Sequence, residues 1–202
     1  MKIFVAVDNV VSAGAYYILP DTALNRVGQP FFLPDIDMAM TAFPTLAVRI
    51  GRLGKNIAEQ FACRYIDSVA VAVLFRNESL LQQLRAEALP WSSALAYDGV
   101  LNVSEWHTVS ADSPLASVDW SVRHNEISVP SFSVSALVQS PEQLVARLSR
   151  NHKLCVGDVV VVATSHPFAC RYNDEISGFL QQAEAMRFRV KESCRSVPPM
   201  CL

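Results

Sequence analysis

The chain has 202 residues, enough for one domain with a substantial buried core. Hydrophobic residues make up 51% and charged residues 18%, below the usual quarter or so; with a mean hydropathy of +0.23, this implies a large core together with a surface patch covered by a partner. A formal charge of −2 argues against nucleic acid as the partner, since binding it requires a basic face.

Met1 to Asp8 starts like a signal peptide, but its apolar run is short, is cut by Asp8 and leads to no small-residue cleavage pattern. No run reaches the 18 or so apolar residues that a membrane span needs, so no membrane is expected. Cys63, Cys155, Cys170, Cys194 and Cys201 are odd in number and irregular in spacing, which suggests neither a disulfide framework nor a zinc site. Reduced thiols in a cytoplasmic protein are the expectation.

In chain order, Ile3 to Val7 has strand character. Ser12 to Arg26 reads as irregular, and Gly28 and Pro30 punctuate a turn before Phe31-Phe32-Leu33. Leu46 to Ile50 reads as a strand ended by a Gly51-x-x-Gly54 turn. Asn56 is a candidate N-cap for a helix through Arg64, with Glu59 in capping-box position and Ile57, Phe61 and Ala62 on the buried face. Cys63 on that apolar side reads as a small core residue. Val69 to Phe75 is a β-branched run typical of a buried strand. Asn77 caps a helix to about Ala88 that sets Leu80, Leu81 and Leu84 on one side, with Pro90 beyond its end.

The second half is richer in strands. Ser117 to Arg123 and Glu126 to Val129 form a candidate hairpin around His124-Asn125. Ser140 caps a helix from Pro141 to about Ser149. Val156-Gly157-Asp158 turns into a strand over Val159 to Ala163, and Phe188 to Lys191 reads as a last strand. Residues 196–202 lack any periodic pattern and are expected to be loose, which leaves a single domain over 1–195. Short strands with three modest helices and no regular βαβ alternation argue for an α+β fold.

Four segments carry a resemblance to a known family: Asp21-Thr22-Ala23-Leu24, Gly28-Gln29-Pro30-Phe31-Phe32-Leu33-Pro34-Asp35, Val48-Arg49-Ile50-Gly51-Arg52-Leu53-Gly54-Lys55-Asn56-Ile57 and Leu89-Pro90-Trp91. Together they resemble the fumarylacetoacetate hydrolase family in its small single-domain bacterial form. The resemblance implies a mixed, mostly antiparallel β-roll or β-sandwich with a few short helices and a central cleft. It also implies a magnesium or manganese ion, held by a Glu-x-Glu pair and a following Asp, that polarises an oxo-acid substrate.

Those three ligand positions here are Phe43, Thr45 and Leu74. The residue two before the pair, often His in the family, is Thr41, and the family's Lys before Tyr97-Asp98-Gly99 is Leu95. The family's Gly-Arg-Asn-Tyr pattern is Val7-Asp8-Asn9-Val10, and its Thr-Gly-Thr-Pro is Val162-Ala163-Thr164-Ser165. No acid lies between Asp37 and Glu59, so a small shift of register does not restore the pair. A hard divalent ion needs anionic oxygen to offset its lost water, so no metal cofactor is expected. Burying Phe43 and Leu74 instead is worth roughly 1.5–3 kcal/mol each, and the cleft is expected to collapse around them.

The four histidines fall in no ligand spacing. Arg49, Arg52 and Lys55 are the remaining cluster with which an anion could be met. Two functions follow from the resemblance: a binding or structural subunit without metal-dependent catalysis, or an active hydrolase or isomerase, of the acylpyruvate hydrolase or 2-hydroxyhepta-2,4-diene-1,7-dioate isomerase type, working through other residues. The low charge and the family's habit of pairing predict a homodimer.

Overall fold

Two antiparallel strands of eleven residues each, Met40–Ile50 and Ile66–Arg76, form the centre of the fold. Nearly every residue in both is buried, which is why they read as apolar runs rather than as alternating patterns. The computed structural model describes residues 1–6, 15–34, 40–110, 115–163 and 166–192. Val7 to Val10, Asp35, Asp37, Thr164, Ser165, Cys194, Cys201 and the expected loose tail lie outside the described residues.

In chain order the described strands are β1 (Ile3–Ala6), β2 (Tyr16–Leu19), β3 (Leu24–Asn25), β4 (Phe31–Leu33), β5 (Met40–Ile50), β6 (Ile66–Arg76), β7 (Leu101–Val103) and β8 (His107–Thr108). There follow β9 (Asp119–His124), β10 (Ile127–Ser128), β11 (Phe132–Ser133), β12 (Val159–Ala163), β13 (Phe168–Cys170), β14 (Glu175–Leu180) and β15 (Ala183–Glu192). The helices are α1 (Glu59–Ala62), α2 (Glu78–Ala86), α3 (Ser92–Leu95) and α4 (Pro141–Asn151). A nine-stranded sheet runs β2-β1-β12-β5-β6-β7-β3, with β13 added to β5 and β8 to β6. A six-stranded sheet runs β10-β9-β14-β15-β4, with β11 added to β9. Only the pairs β1–β12, β3–β7 and β4–β15 are parallel among the described strands, so the mixed, mostly antiparallel α+β class is borne out.

The two sheets meet across one face of β6. Phe75 stacks on Phe31 of β4 with ring centres 3.8 Å apart, and meets Phe188 of β15 edge-on at 6.2 Å. Gly178 of β14 lies against Val71; a Cβ there would come within 3.1 Å of the valine and 2.7 Å of Met186. Side chains alternate along a strand, so Val71, Val73 and Phe75 face the second sheet while Ala72, Leu74 and Arg76 face the other way.

Several local expectations are corrected. Tyr16–Leu19 forms strand β2 where an irregular stretch was expected, since a β1 partner is available to a short aromatic run. Strand β5 begins at Met40 rather than Leu46. It runs through Pro44, which sits where β5's neighbour changes from β12 (Ala163 opposite Thr45) to β13 (Phe168 opposite Ala42), a place where a strand tolerates a residue with no N–H to give. Asn56 does not cap a helix. Its φ of 53° places it in a left-handed turn, Ala58 precedes α1 without a side-chain cap, and the backbone of Asn56 and Ile57 instead docks on Ser149 of α4. Phe61 and Cys63 are exposed rather than core residues, because α1 ends after one turn.

Other expectations hold. Asn77 caps α2 through Leu80 N–H at 3.0 Å, and Ser140 with Gln143 forms a full capping box on α4. The β9–β10 hairpin turns at Asn125-Glu126, both with positive φ, one residue later than expected. The long β14–β15 hairpin was missed because its turn is Gln181-Gln182, also at positive φ, rather than the Asn-Gly or Gly-rich pairs that signal such turns.

Candidate functional site

Strands β5 and β6 bring Phe43 and Leu74 directly opposite each other, with Thr45 opposite Ala72 and Thr41 opposite Arg76. All of these side chains leave the same face, the one turned away from the second sheet. Phe43 is 5% exposed, while Thr45 and Leu74 are fully enclosed. Leu74 also pairs with Leu101 of β7, so the centre of this face is apolar. The hydroxyl of Thr45 is buried and has no hydrogen-bond partner among the described residues.

Beside this centre sits a residue that the sequence reading passed over. Arg76 is buried at 6% exposure, and its guanidinium carbon lies 3.7 Å from the centre of the Phe43 ring. Its Nε is 2.9 Å from Glu78 Oε1. The two atoms are close yet not aligned as a hydrogen bond, so the pair is an ionic contact. In the sequence, Arg76 looked like the polar stop at the end of an apolar run. The available signal was its place on the same face as Leu74, two residues away.

The remaining candidates are not gathered here. Arg49 is six residues along β5 from Phe43, about 20 Å in an extended strand. There it pairs with Asp67 at 3.0 Å and lies over Trp106. Arg52 and Lys55 are exposed on the loop that follows, so the expected anion cluster sits at the far end of the strand. Leu95 packs with Leu81 and Ala94 in a satellite cluster, which is tied to the end of β6 by a hydrogen bond from Asn77 N–H to the Ala94 carbonyl. Tyr97, Asp98 and Gly99 line a surface cleft of about 580 Å³ together with Gln29, Pro30 and Phe32.

Nor do the thiols and imidazoles form a reactive centre among the described residues. Burial pushes the Cys170 thiol up to about 12, which keeps it protonated and inert. His124 is held by Asp174 at 2.8 Å, and His152 by the Tyr16 hydroxyl at 2.7 Å. Burial alone would raise the Asp174 carboxyl. Hydrogen bonds from Asn125, the Arg171 N–H and His124 outweigh that and lower it. Among the described residues no group of three His, Cys, Asp or Glu is placed to hold a metal ion, and no helix is long and apolar enough to cross a membrane.

Residues 5–195 match the family model described as fumarylacetoacetate (FAA) hydrolase C-terminal. The rat (Rattus norvegicus) protein named oxaloacetate tautomerase FAHD1, mitochondrial, is 24% identical over 186 residues, covering 91% of this chain and 84% of its own. The fold resembles that of fumarylpyruvate hydrolase from Pseudomonas aeruginosa, whose structure holds Mn2+ and pyruvate. That match has a TM-score of 0.86 at 17% identity over 96% of this chain and 90% of the other. It also resembles 2-hydroxyhepta-2,4-diene-1,7-dioate isomerase from Mycobacterium marinum, with a TM-score of 0.81 at 17% identity over 96% and 75%.

Proposed function

The chain belongs to the fumarylacetoacetate hydrolase family, and on that premise we propose that it uses the family scaffold as a binding or structural subunit, without divalent-ion catalysis. The observation that carries this reading is the enclosed Phe43–Leu74 pair with Thr45 beside it. Magnesium and manganese require hard, preferably anionic oxygen. These three side chains offer a single neutral hydroxyl, so the donor set does not fit the ion.

A second reading keeps the chain an active hydrolase or isomerase of oxo-acids working through other residues. It is favoured by the kinship to the rat tautomerase over nearly the whole chain. Titrating the purified protein with Mn2+ and Mg2+ by calorimetry, alongside turnover assays on oxaloacetate and acylpyruvates, separates the two. The first reading expects no stoichiometric sub-millimolar site and no turnover above a heat-treated control. A saturable metal site with turnover would establish the second.

A further inference from the structure

Building on the metal-free reading, we infer that Arg76 is the resident cation of this cleft: it takes the electrostatic place of a divalent ion and opposes metal binding even where carboxylates are put back. Strand β6 sets Arg76 two residues beyond Leu74 on the same face, and the β5 register sets it diagonally across from Phe43. The guanidinium is held over the Phe43 ring at 3.7 Å and against Glu78 at 2.9 Å.

A charge buried to 6% exposure persists only with compensation. Among the described residues the compensation is one carboxylate and one aromatic face, a cation–π contact that is strongest where water is excluded. Phe43 is therefore more than filler at a position where the family resemblance implies a ligand, because its ring is one of the two supports of the guanidinium among the described residues. A carboxylate introduced at position 43 would fall within ion-pair reach of Arg76. It would then be satisfied by an internal cation that is permanently charged, and a divalent ion approaching the same place would meet a fixed like charge.

The test compares the acid-restored variant Phe43→Glu/Thr45→Glu/Leu74→Asp with the same variant also carrying Arg76→Met. Free Mn2+ is followed by electron paramagnetic resonance, and denaturant unfolding is measured both in chelator and in Mn2+. Removing Arg76 is expected to tighten Mn2+ binding at least tenfold and to make the unfolding midpoint depend on metal. Since three new acids can prevent folding, Phe43→Glu alone is also measured in the parent and in Arg76→Met. Its cost in the folding equilibrium constant is expected to be at least tenfold larger without Arg76. Equal Mn2+ affinity in both acid-restored chains, or an equal cost of Phe43→Glu in both backgrounds, would overturn the inference. Tight Mn2+ binding by the unaltered chain would instead overturn the functional reading on which it rests.

Discussion

Phe43 and Leu74 lie 31 positions apart in sequence and directly opposite each other in the β5–β6 ladder, both enclosed. Directly opposed strand residues have Cβ atoms roughly 4.5–5.5 Å apart, so whatever occupies these positions interacts strongly. Carboxylates at that spacing need a cation between them, because like charges in a desolvated place resist joint ionisation. An aromatic ring and a leucine need only each other. Side-chain chemistry at this opposed pair thus sets the character of the centre, which in this chain is apolar.

Truncating either member of the pair should cost stability on the scale of core cavities. Leu74→Ala is expected to lose about 2–5 kcal/mol and Phe43→Ala about 3–5 kcal/mol. Thr45→Val should behave differently, because the Thr45 hydroxyl is buried without a hydrogen-bond partner among the described residues. Leaving such a group unsatisfied costs about 1–3 kcal/mol, so valine is expected to be neutral or stabilising. Urea unfolding of the three variants checks the order, and a Thr45→Val protein weaker than Leu74→Ala would contradict it.

The outline of this site was legible because the family resemblance put Phe43 and Thr45 just before the Val48-Arg49-Ile50 strand and Leu74 on the next one, although the apolar run from Leu46 caught only the second half of β5. The pairing of Phe43 with Leu74 follows once both strands are in register. Arg76 was not legible, since a charged residue after seven apolar ones, Val69 to Phe75, looks like a boundary, and only the cross-strand register shows that it turns back over Phe43. Arg49, Arg52 and Lys55 misled for the opposite reason: closeness in sequence is distance in an extended strand. Asn56 resembled a cap in composition, but its left-handed backbone belongs to a turn whose N–H reaches the Ser149 carbonyl on α4. Such long-range partners leave no local trace.

Asp174 should give the protein a distinct acid response. Its carboxyl accepts from Asn125, the Arg171 N–H and His124, and its folded-state pKa is lowered. The unfolded chain therefore binds the proton first, near the ordinary aspartate value of about 3.9. Stability from this group is present above that pH and is lost as pH falls through the lower folded value. Asp174→Asn is expected to be less stable at neutral pH and to show a shallower loss of stability below about pH 4. A variant with the parent's acid slope would show that the group contributes nothing.

A homodimer is the expected assembly, on the strength of the low charged fraction of 18%. Closed two-fold pairing is the commonest way for a chain to cover an apolar patch. Sedimentation at micromolar concentration should give twice the 22.3 kDa chain mass. A single monomeric species throughout that range would remove the expectation.

Small dianionic oxo-acids should leave the thermal midpoint unchanged. The face that would receive them carries Phe43, Thr45 and Leu74, fully or nearly enclosed, so a ligand would have to open a packed centre and give up its own hydration. Arg76 does not change this outcome. Its charge is already met by the half-buried Glu78 at 2.9 Å, and an ion pair with its cation buried yields to a competitor only when the newcomer restores what the old partner supplied. An unpaired second carboxylate in an apolar surround is costly, which sets dianions below monoanions in any residual affinity. A thermal-shift series with oxaloacetate, pyruvate and acetate, run in chelator and again with Mn2+, provides the measurement. Flat curves throughout are expected. A saturable rise with oxaloacetate that needs Mn2+ would mean that the cleft opens and holds metal, and catalysis by this chain would then be the better account of its family scaffold.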